Sequence, residues 1–251
     1  MAKKLVIANW KMYIESPDGA KSFARTLRRK SATFPGVDAV IAPAFPLLPV
    51  VAAALKGSKI RAGAQTLSPF RDGKHTGEVS ARMLSLAGAA AVIVGHSERR
   101  ETGESYEEVS EQLRSADAEG LRAILCVGEK ERDASGHHFT AVASQLRSAL
   151  EAKPAAARLV IAYEPVWAIG KSANEAVDAQ DLQEMVIYIR KILAENIGRT
   201  AALRVPIIYG GSVEPSNAKE LINEGGVSGF LVGHASADID SFLAILQACS
   251  R

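Results

Sequence analysis

The chain is expected to fold as an α/β protein, a single (β/α)8 barrel. Three observations predict this. Short apolar runs recur along the 251 residues at intervals that leave room for one helix each. Strand and helix alternate throughout, which means parallel strands joined by crossover helices. About eight such units in roughly 250 residues match a closed barrel. An open doubly wound sheet would usually carry a G-x-G-x-x-G turn after its first strand. The turn here is Asn9-Trp10-Lys11-Met12, with no glycine. No linker, composition break or low-complexity segment interrupts the pattern, so one domain over 1–251 is the simplest account.

The expected strands are 5–9, 37–42, 60–64, 91–95, 122–127, 159–163, 205–209 and 228–233. Leu5-Val6-Ile7-Ala8 and Leu159-Val160-Ile161-Ala162-Tyr163 show the type: unbroken apolar runs that suit strands buried on both faces. The helices between them are expected at 18–30, 44–56, 79–87, 104–119, 138–151, 178–197, 215–224 and 237–248. Ser16-Pro17-Asp18 opens the first, and Arg28-Arg29-Lys30 closes it where cations suit the helix dipole. The segment 79–87 is short and follows Gly77. The segment 104–119 carries Glu107, Glu108 and Glu111 near its start and stops before Gly120. Glu214-Pro215-Ser216 opens a later helix and Gly225-Gly226 follows it.

Composition is that of an ordinary globular protein, 47% hydrophobic and 23% charged. A net charge of +2 is too small to point to nucleic acid or an acidic membrane surface. Cys126 and Cys249 lie far apart with no CxxC spacing, and Cys126 sits in a buried-strand pattern, so it reads as a small core residue. Nothing suggests an oxidising compartment. The first apolar run is too short for a signal peptide and no stretch is long enough to span a membrane, so a cytoplasmic location is expected. The histidines lack metal-ligand spacing, and neither H-E-x-x-H nor G-x-S-x-G occurs. No metal and no cofactor is expected.

In a barrel the residues just after each strand converge on one face. The first strand delivers Asn9 and Lys11. The fourth delivers Gly95-His96-Ser97-Glu98-Arg99-Arg100, and the sixth delivers Glu164. Glu164 is followed by Pro165-Val166-Trp167-Ala168-Ile169-Gly170, an apolar segment that could cover it, exclude water and favour its taking up a proton. Taken alone, a salt-bridged strand-end glutamate explains it as well. His96 stands between a strand end and a helix start, where the dipole disfavours its cationic form and a neutral hydrogen-bond donor is expected; a turn-capping histidine is the plain alternative. Lys11 is a fixed cation at the same mouth, or a solvated surface lysine. Gly210-Gly211-Ser212-Val213 and Gly233-His234-Ala235-Ser236 follow strands seven and eight and are expected to open helices, a place where barrels hold phosphate. Turns need glycine anyway, so the pair of turns carries the inference rather than either one. A base, a neutral electrophile, a cation and a phosphate cradle together describe proton abstraction beside a carbonyl.

Asn9-Trp10-Lys11-Met12, Gly95 to Arg100, Ala162 to Gly170 and Tyr209 to Val213 resemble the triosephosphate isomerase family, and Gly63-Ala64-Gln65, Thr76 to Ser80 and Cys126 to Glu129 agree. The resemblance spans the chain and implies a TIM barrel. The family is itself a standard case of a glutamate base beside a neutral histidine under a closing lid, so these roles come with the resemblance. It implies interconversion of dihydroxyacetone phosphate and glyceraldehyde 3-phosphate without a cofactor. Glu164 would shuttle the proton, His96 polarise the oxygens, Lys11 stabilise negative charge and Asn9 orient the substrate. Glu98 would support Lys11. Backbone groups of Gly170, Ser212, Gly233 and His234 would hold the phosphate, with 165–173 as the lid. It also implies a homodimer in which the loop 65–78 reaches the partner, with Thr76 near the partner's Lys11 region.

Three departures stand out. His234 occupies a position where the family often has glycine. Lys171-Ser172-Ala173-Asn174-Glu175 replaces the usual far end of the lid, and Tyr13 replaces a common asparagine. A related isomerase for a four-carbon ketose phosphate would use the same proton-shuttle residues. A catalytically dead barrel would lack one of Glu164, His96 and Lys11, and all three are present.

Overall fold

The computed structural model describes residues 3–133, 135–170 and 177–250. Eight parallel strands close into a barrel in chain order. They are β1 (Lys4–Asn9), β2 (Val37–Ala42), β3 (Arg61–Ala64), β4 (Ala89–Val94), β5 (Arg122–Val127), β6 (Leu159–Tyr163), β7 (Ile207–Tyr209) and β8 (Gly229–Val232). β8 closes on β1 through Leu5 opposite Gly229 and Ala8 opposite Val232. The helices among the described residues are α1 (Pro17–Lys30), α2 (Leu48–Leu55), α3 (Ala81–Leu86), α4 (Ser97–Glu101), α5 (Tyr106–Ala118), α6 (His137–Leu150), α7 (Ala179–Ile197), α8 (Arg199–Arg204), α9 (Ala218–Glu224) and α10 (Ile239–Cys249).

The strands are apolar on both faces because each face meets a different core. Leu5, Ile7, Val40, Ile93, Ile124, Val160, Ile208 and Leu231 fill the barrel. Their neighbours Val6, Ala8, Val92, Leu125 and Ile161 pack outward against helix residues such as Leu27, Leu113, Leu146, Ile189 and Phe242. The two-residue period of a strand sorts the side chains between these layers. Cys126 lies in the inner set, as a core residue should.

Helix ends carry the expected punctuation. Ser16 accepts the Gly19 N–H ahead of α1, whose last turn holds Arg28, Arg29 and Lys30. Ser105 and Glu108 form a reciprocal capping box at α5, the kind of cap whose loss costs about 1 kcal/mol. Several boundaries differ from expectation. The segment 44–56 divides into a 3-10 turn over Phe45–Leu47 and then α2. β7 begins at Ile207 rather than 205, after Pro206, which has no N–H to donate to a ladder. α9 begins at Ala218, not at 215. Asn217 accepts the Glu214 N–H at 2.9 Å and donates to the Ser212 carbonyl at 3.1 Å, which holds the preceding residues in a turn. The turn after β7 therefore does not open a helix directly. The turn after β8 does open one at once, but it is a 3-10 turn, His234–Ser236, ahead of α10. α8 was not expected from the sequence.

Candidate active site

Strand parity puts the chemistry at the mouth. Past the last inward hydrophobe of five strands, the same two-residue step reaches Asn9 after Ile7, Gly128 after Cys126, Glu164 after Ala162, Gly210 after Ile208 and Gly233 after Leu231. These five positions are one amide, one carboxylate and three glycines. The glycines make the room. A methyl group on Gly128 would lie 1.8 Å from the Glu164 carbonyl oxygen, and one on Gly210 would lie 2.8 Å from Glu164 Cγ.

Glu164 is 2% exposed. Its Oε2 accepts the Ser97 N–H at 3.0 Å, the first amide of α4. Its Oε1 accepts no hydrogen bond among the described residues, although His96 Nε2 lies 3.2 Å away. The distance is short, but the ring N–H is not aimed at that oxygen. Burial, and next the Glu164 carboxylate, push the Cys126 thiol beneath it well above the usual thiol range, so Cys126 stays a neutral neighbour.

His96 is the N-cap of α4, and its Nδ1 accepts the Glu98 N–H at 3.2 Å. An accepting ring nitrogen carries no proton, so Nε2 bears the proton and presents it to the cavity. The capping alternative and the electrophile reading are therefore compatible: the cap fixes the tautomer.

Lys11 has φ of 45°, a left-handed conformation that is strained for a non-glycine residue by about 1–3 kcal/mol. Three hydrogen bonds fix it in place. Asn9 Oδ1 accepts the Lys11 N–H at 3.2 Å, and Gln65 Nε2 donates to the Lys11 carbonyl at 2.9 Å and the Ala42 carbonyl at 3.0 Å. Lys11 Nζ then pairs with Glu98 Oε1 at 2.5 Å. A methyl group built on Gly233 would lie 3.5 Å from Lys11 Cε, so the ammonium sits against the turn after β8.

The residues expected to hold the phosphate are gathered as well. Ser212 Oγ donates to the Ala168 carbonyl at 3.0 Å, tying the turn after β7 to the segment that follows Glu164. Gly170 sits at φ 73° at the end of the described part of that segment. Ser236 Oγ donates to the Gly233 carbonyl at 2.7 Å and braces the turn after β8. Asn9, Lys11, His96 and Glu164, with Gly170, Ser212, Gly233 and His234, line one cavity of about 300 Å³. Glu98 stands outside the lining and reaches it through Lys11. The remainder of the expected lid and its altered stretch, Lys171 to Glu175, lie outside the described residues.

Gln65 and Glu129, to which no site role is assigned from sequence, hold the site in place, and Tyr13, noted only as a departure, touches its rim. Gln65 comes directly after β3, and Asn9 ends β1, so the strand-end rule points to both. Glu129 is buried, and its Oε1 accepts from Tyr163 Oη at 2.9 Å and from Trp167 Nε1 at 2.8 Å, anchoring the start of the segment after Glu164. Nothing local marks that long-range contact. Tyr13 makes an edge-on contact with His234, ring centres 5.1 Å apart, so two of the departures meet at the rim of one cavity.

A family model described as Triosephosphate isomerase matches residues 4–249. The chain belongs to the triosephosphate isomerase family. Triosephosphate isomerase of Thermus thermophilus is 43% identical over 251 residues, covering 98% of this chain and 99% of its own. The protein of that name from Symbiobacterium thermophilum is 43% identical over 255 residues, covering 100% of this chain and 98% of its own. That from Carboxydothermus hydrogenoformans is 43% identical over 251 residues, covering 98% and 99%. Family membership makes this chain an isomerase, and the cavity just described is where the triosephosphate isomerase motifs converge.

Proposed function

We propose that residues 1–251 form one catalytic domain that interconverts dihydroxyacetone phosphate and D-glyceraldehyde 3-phosphate through an enediolate, with no cofactor. The observation that supports it most is the buried Glu164 carboxylate with one unpaired oxygen, beside a histidine whose proton is fixed on Nε2. Glu164 removes a proton from the carbon next to the carbonyl. Negative charge moves onto the carbonyl oxygen, where His96 Nε2–H and the Lys11 ammonium meet it. The proton returns from Glu164 to the neighbouring carbon. His96 passes a proton between the two oxygens, so the carbonyl ends one carbon along and every proton is accounted for. Asn9 aligns the substrate and fixes Lys11. Backbone groups of Gly170, Ser212, Gly233 and His234 hold the phosphate, and Glu98 holds Lys11 in place.

The proposal extends to a homodimer built around the loop 65–78. Ser68 and Val79 pin the ends of that loop by a backbone bond of 2.9 Å, and Phe70 stacks on His75 at its tip with ring centres 3.6 Å apart. Met12 is 85% and Leu86 79% exposed, and Tyr13, Phe70 and Met83 are exposed too, a supply of apolar surface that suits a partner. Thr76 would reach the partner near its Lys11. A cytoplasmic location agrees with two free, buried cysteines, Cys126 and Cys249.

The test is a coupled assay of glyceraldehyde 3-phosphate isomerisation, run beside Glu164→Gln and beside a four-carbon ketose phosphate. Turnover of the triose phosphate that collapses in the variant supports the proposal. A folded chain that turns over only the four-carbon compound overturns the substrate, and one that turns over neither overturns the chemistry.

A further inference from the structure

Strand parity runs down the barrel as well as up. Two residues below the lowest inward hydrophobes stand Lys3 under Leu5, Asp38 under Val40, Arg122 under Ile124 and Arg158 under Val160. Arg61 is paired in register with Val40, and Lys59 precedes it. These six line a cavity of about 440 Å³ at the N-terminal end of the barrel, larger than the catalytic cavity of about 300 Å³. Five are cations and one is an acid, whereas the whole chain carries only +2. Lys3 pairs with Asp38 at 2.9 Å, and Arg158 grips Asp117 at 2.8 Å. Lys59, Arg61 and Arg122 have no carboxylate partner among the described residues.

Three uncompensated cations at one opening repel one another unless something negative shares them. Arg61 and Arg122 open strands, so neither stands in the last turn of a helix, where the dipole alone would favour a cation. Leu5, Val40 and Ala91 roof the cavity with apolar surface, which lowers the local dielectric and strengthens any ion contact beneath it. We propose that this cavity binds a small organic anion carrying two phosphate groups. Two guanidinium forks and an ammonium match two phosphates, and the volume admits a molecule larger than a triose phosphate. The cavity lies at the opposite end of the barrel from Glu164, so occupancy raises the stability of the folded chain and leaves the chemistry alone.

Pyrophosphate titrated calorimetrically into the full chain and into the Arg61→Gln/Arg122→Gln variant tests this, with turnover measured in parallel. The expected result is a dissociation constant that is weaker by about tenfold or more in the variant. The rise in Tm with pyrophosphate shrinks there to what binding at the catalytic mouth supplies, while kcat and KM stay as in the wild type. An unchanged dissociation constant overturns the proposal. So does a wild-type dissociation constant equal to the competitive inhibition constant of pyrophosphate, which places the anion at the catalytic mouth. Inorganic phosphate binding as tightly as pyrophosphate overturns the two-phosphate assignment. Should the double variant fail to fold, exposed Lys59→Gln makes the same comparison.

Discussion

Nε2 of His96 lies 3.2 Å from Oε1 of Glu164, yet that oxygen accepts no hydrogen bond among the described residues. A donor and an acceptor that lie side by side without bonding leave both free to act on a third group that reaches them from the cavity. Glu164→Gln keeps the shape and removes the proposed base. Its kcat is expected to fall roughly a thousand-fold, the middle of the range for a positioned general base. His96→Gln keeps a donor but loses the ring. A loss of about a hundred-fold or more in kcat is expected, read in the same coupled assay.

Gly210→Ala attacks the geometry of the base without touching its chemistry. The new methyl group would lie 2.8 Å from Glu164 Cγ, so the carboxylate must shift. A displacement near 1 Å is worth about a hundred-fold in rate. The measurement is kcat alongside thermal unfolding. A folded variant with wild-type kcat would show that the base tolerates displacement.

Glu129 Oε1 takes two buried donors, Tyr163 Oη and Trp167 Nε1. Burial, and next the Glu129 charge, push the Tyr163 hydroxyl well above its ordinary range, so it remains a donor throughout. Trp167→Phe removes one bond and Glu129→Gln weakens both. Their effects on kcat/KM are expected to be non-additive by about 1 kcal/mol in a double-mutant cycle. Strict additivity would mean that the contact does not position the segment following Glu164.

Alkaline stability follows from the thiols. Burial pushes Cys249 up from 9.0 to about 12. The unfolded chain ionises this thiol first, so the folded state loses ground as pH rises from 9 and stops losing it only near 12. At about 1.4 kcal/mol per pH unit, about 4 kcal/mol is the ceiling on that loss. Cys249→Ala lacks the group, so its unfolding free energy should decline less between pH 9 and pH 11, as urea titrations at each pH would record. Parallel declines would remove Cys249 as the cause.

The strands and most of the site were legible because both rest on local signals. The apolar runs fixed parity, and parity carried Asn9, Glu164, Gly210 and Gly233 to the mouth. His96 was legible as a strand-to-helix junction. The boundary of α9 was not, because Asn217 reaches back to Ser212 and Glu214 and outweighs the helix-opening pattern at Pro215. The hold of Gln65 on Lys11 and of Glu129 on Trp167 depends on partners 54 and 38 residues away. Such contacts exist only once the barrel closes, and no window of sequence contains them.

The glycines at the mouth, two facing Glu164 and one facing Lys11, set a one-way limit on change. The walls at Gly128, Gly210 and Gly233 are already bare peptide, so mutation at these points can only add atoms. At Gly233 an added methyl group meets only the Lys11 side chain, so a smaller chamber is one substitution away there; at Gly128 and Gly210 it would strike Glu164 itself, and a roomier chamber would require the strands to re-register. At these positions, substrate range can narrow by drift but cannot widen by it.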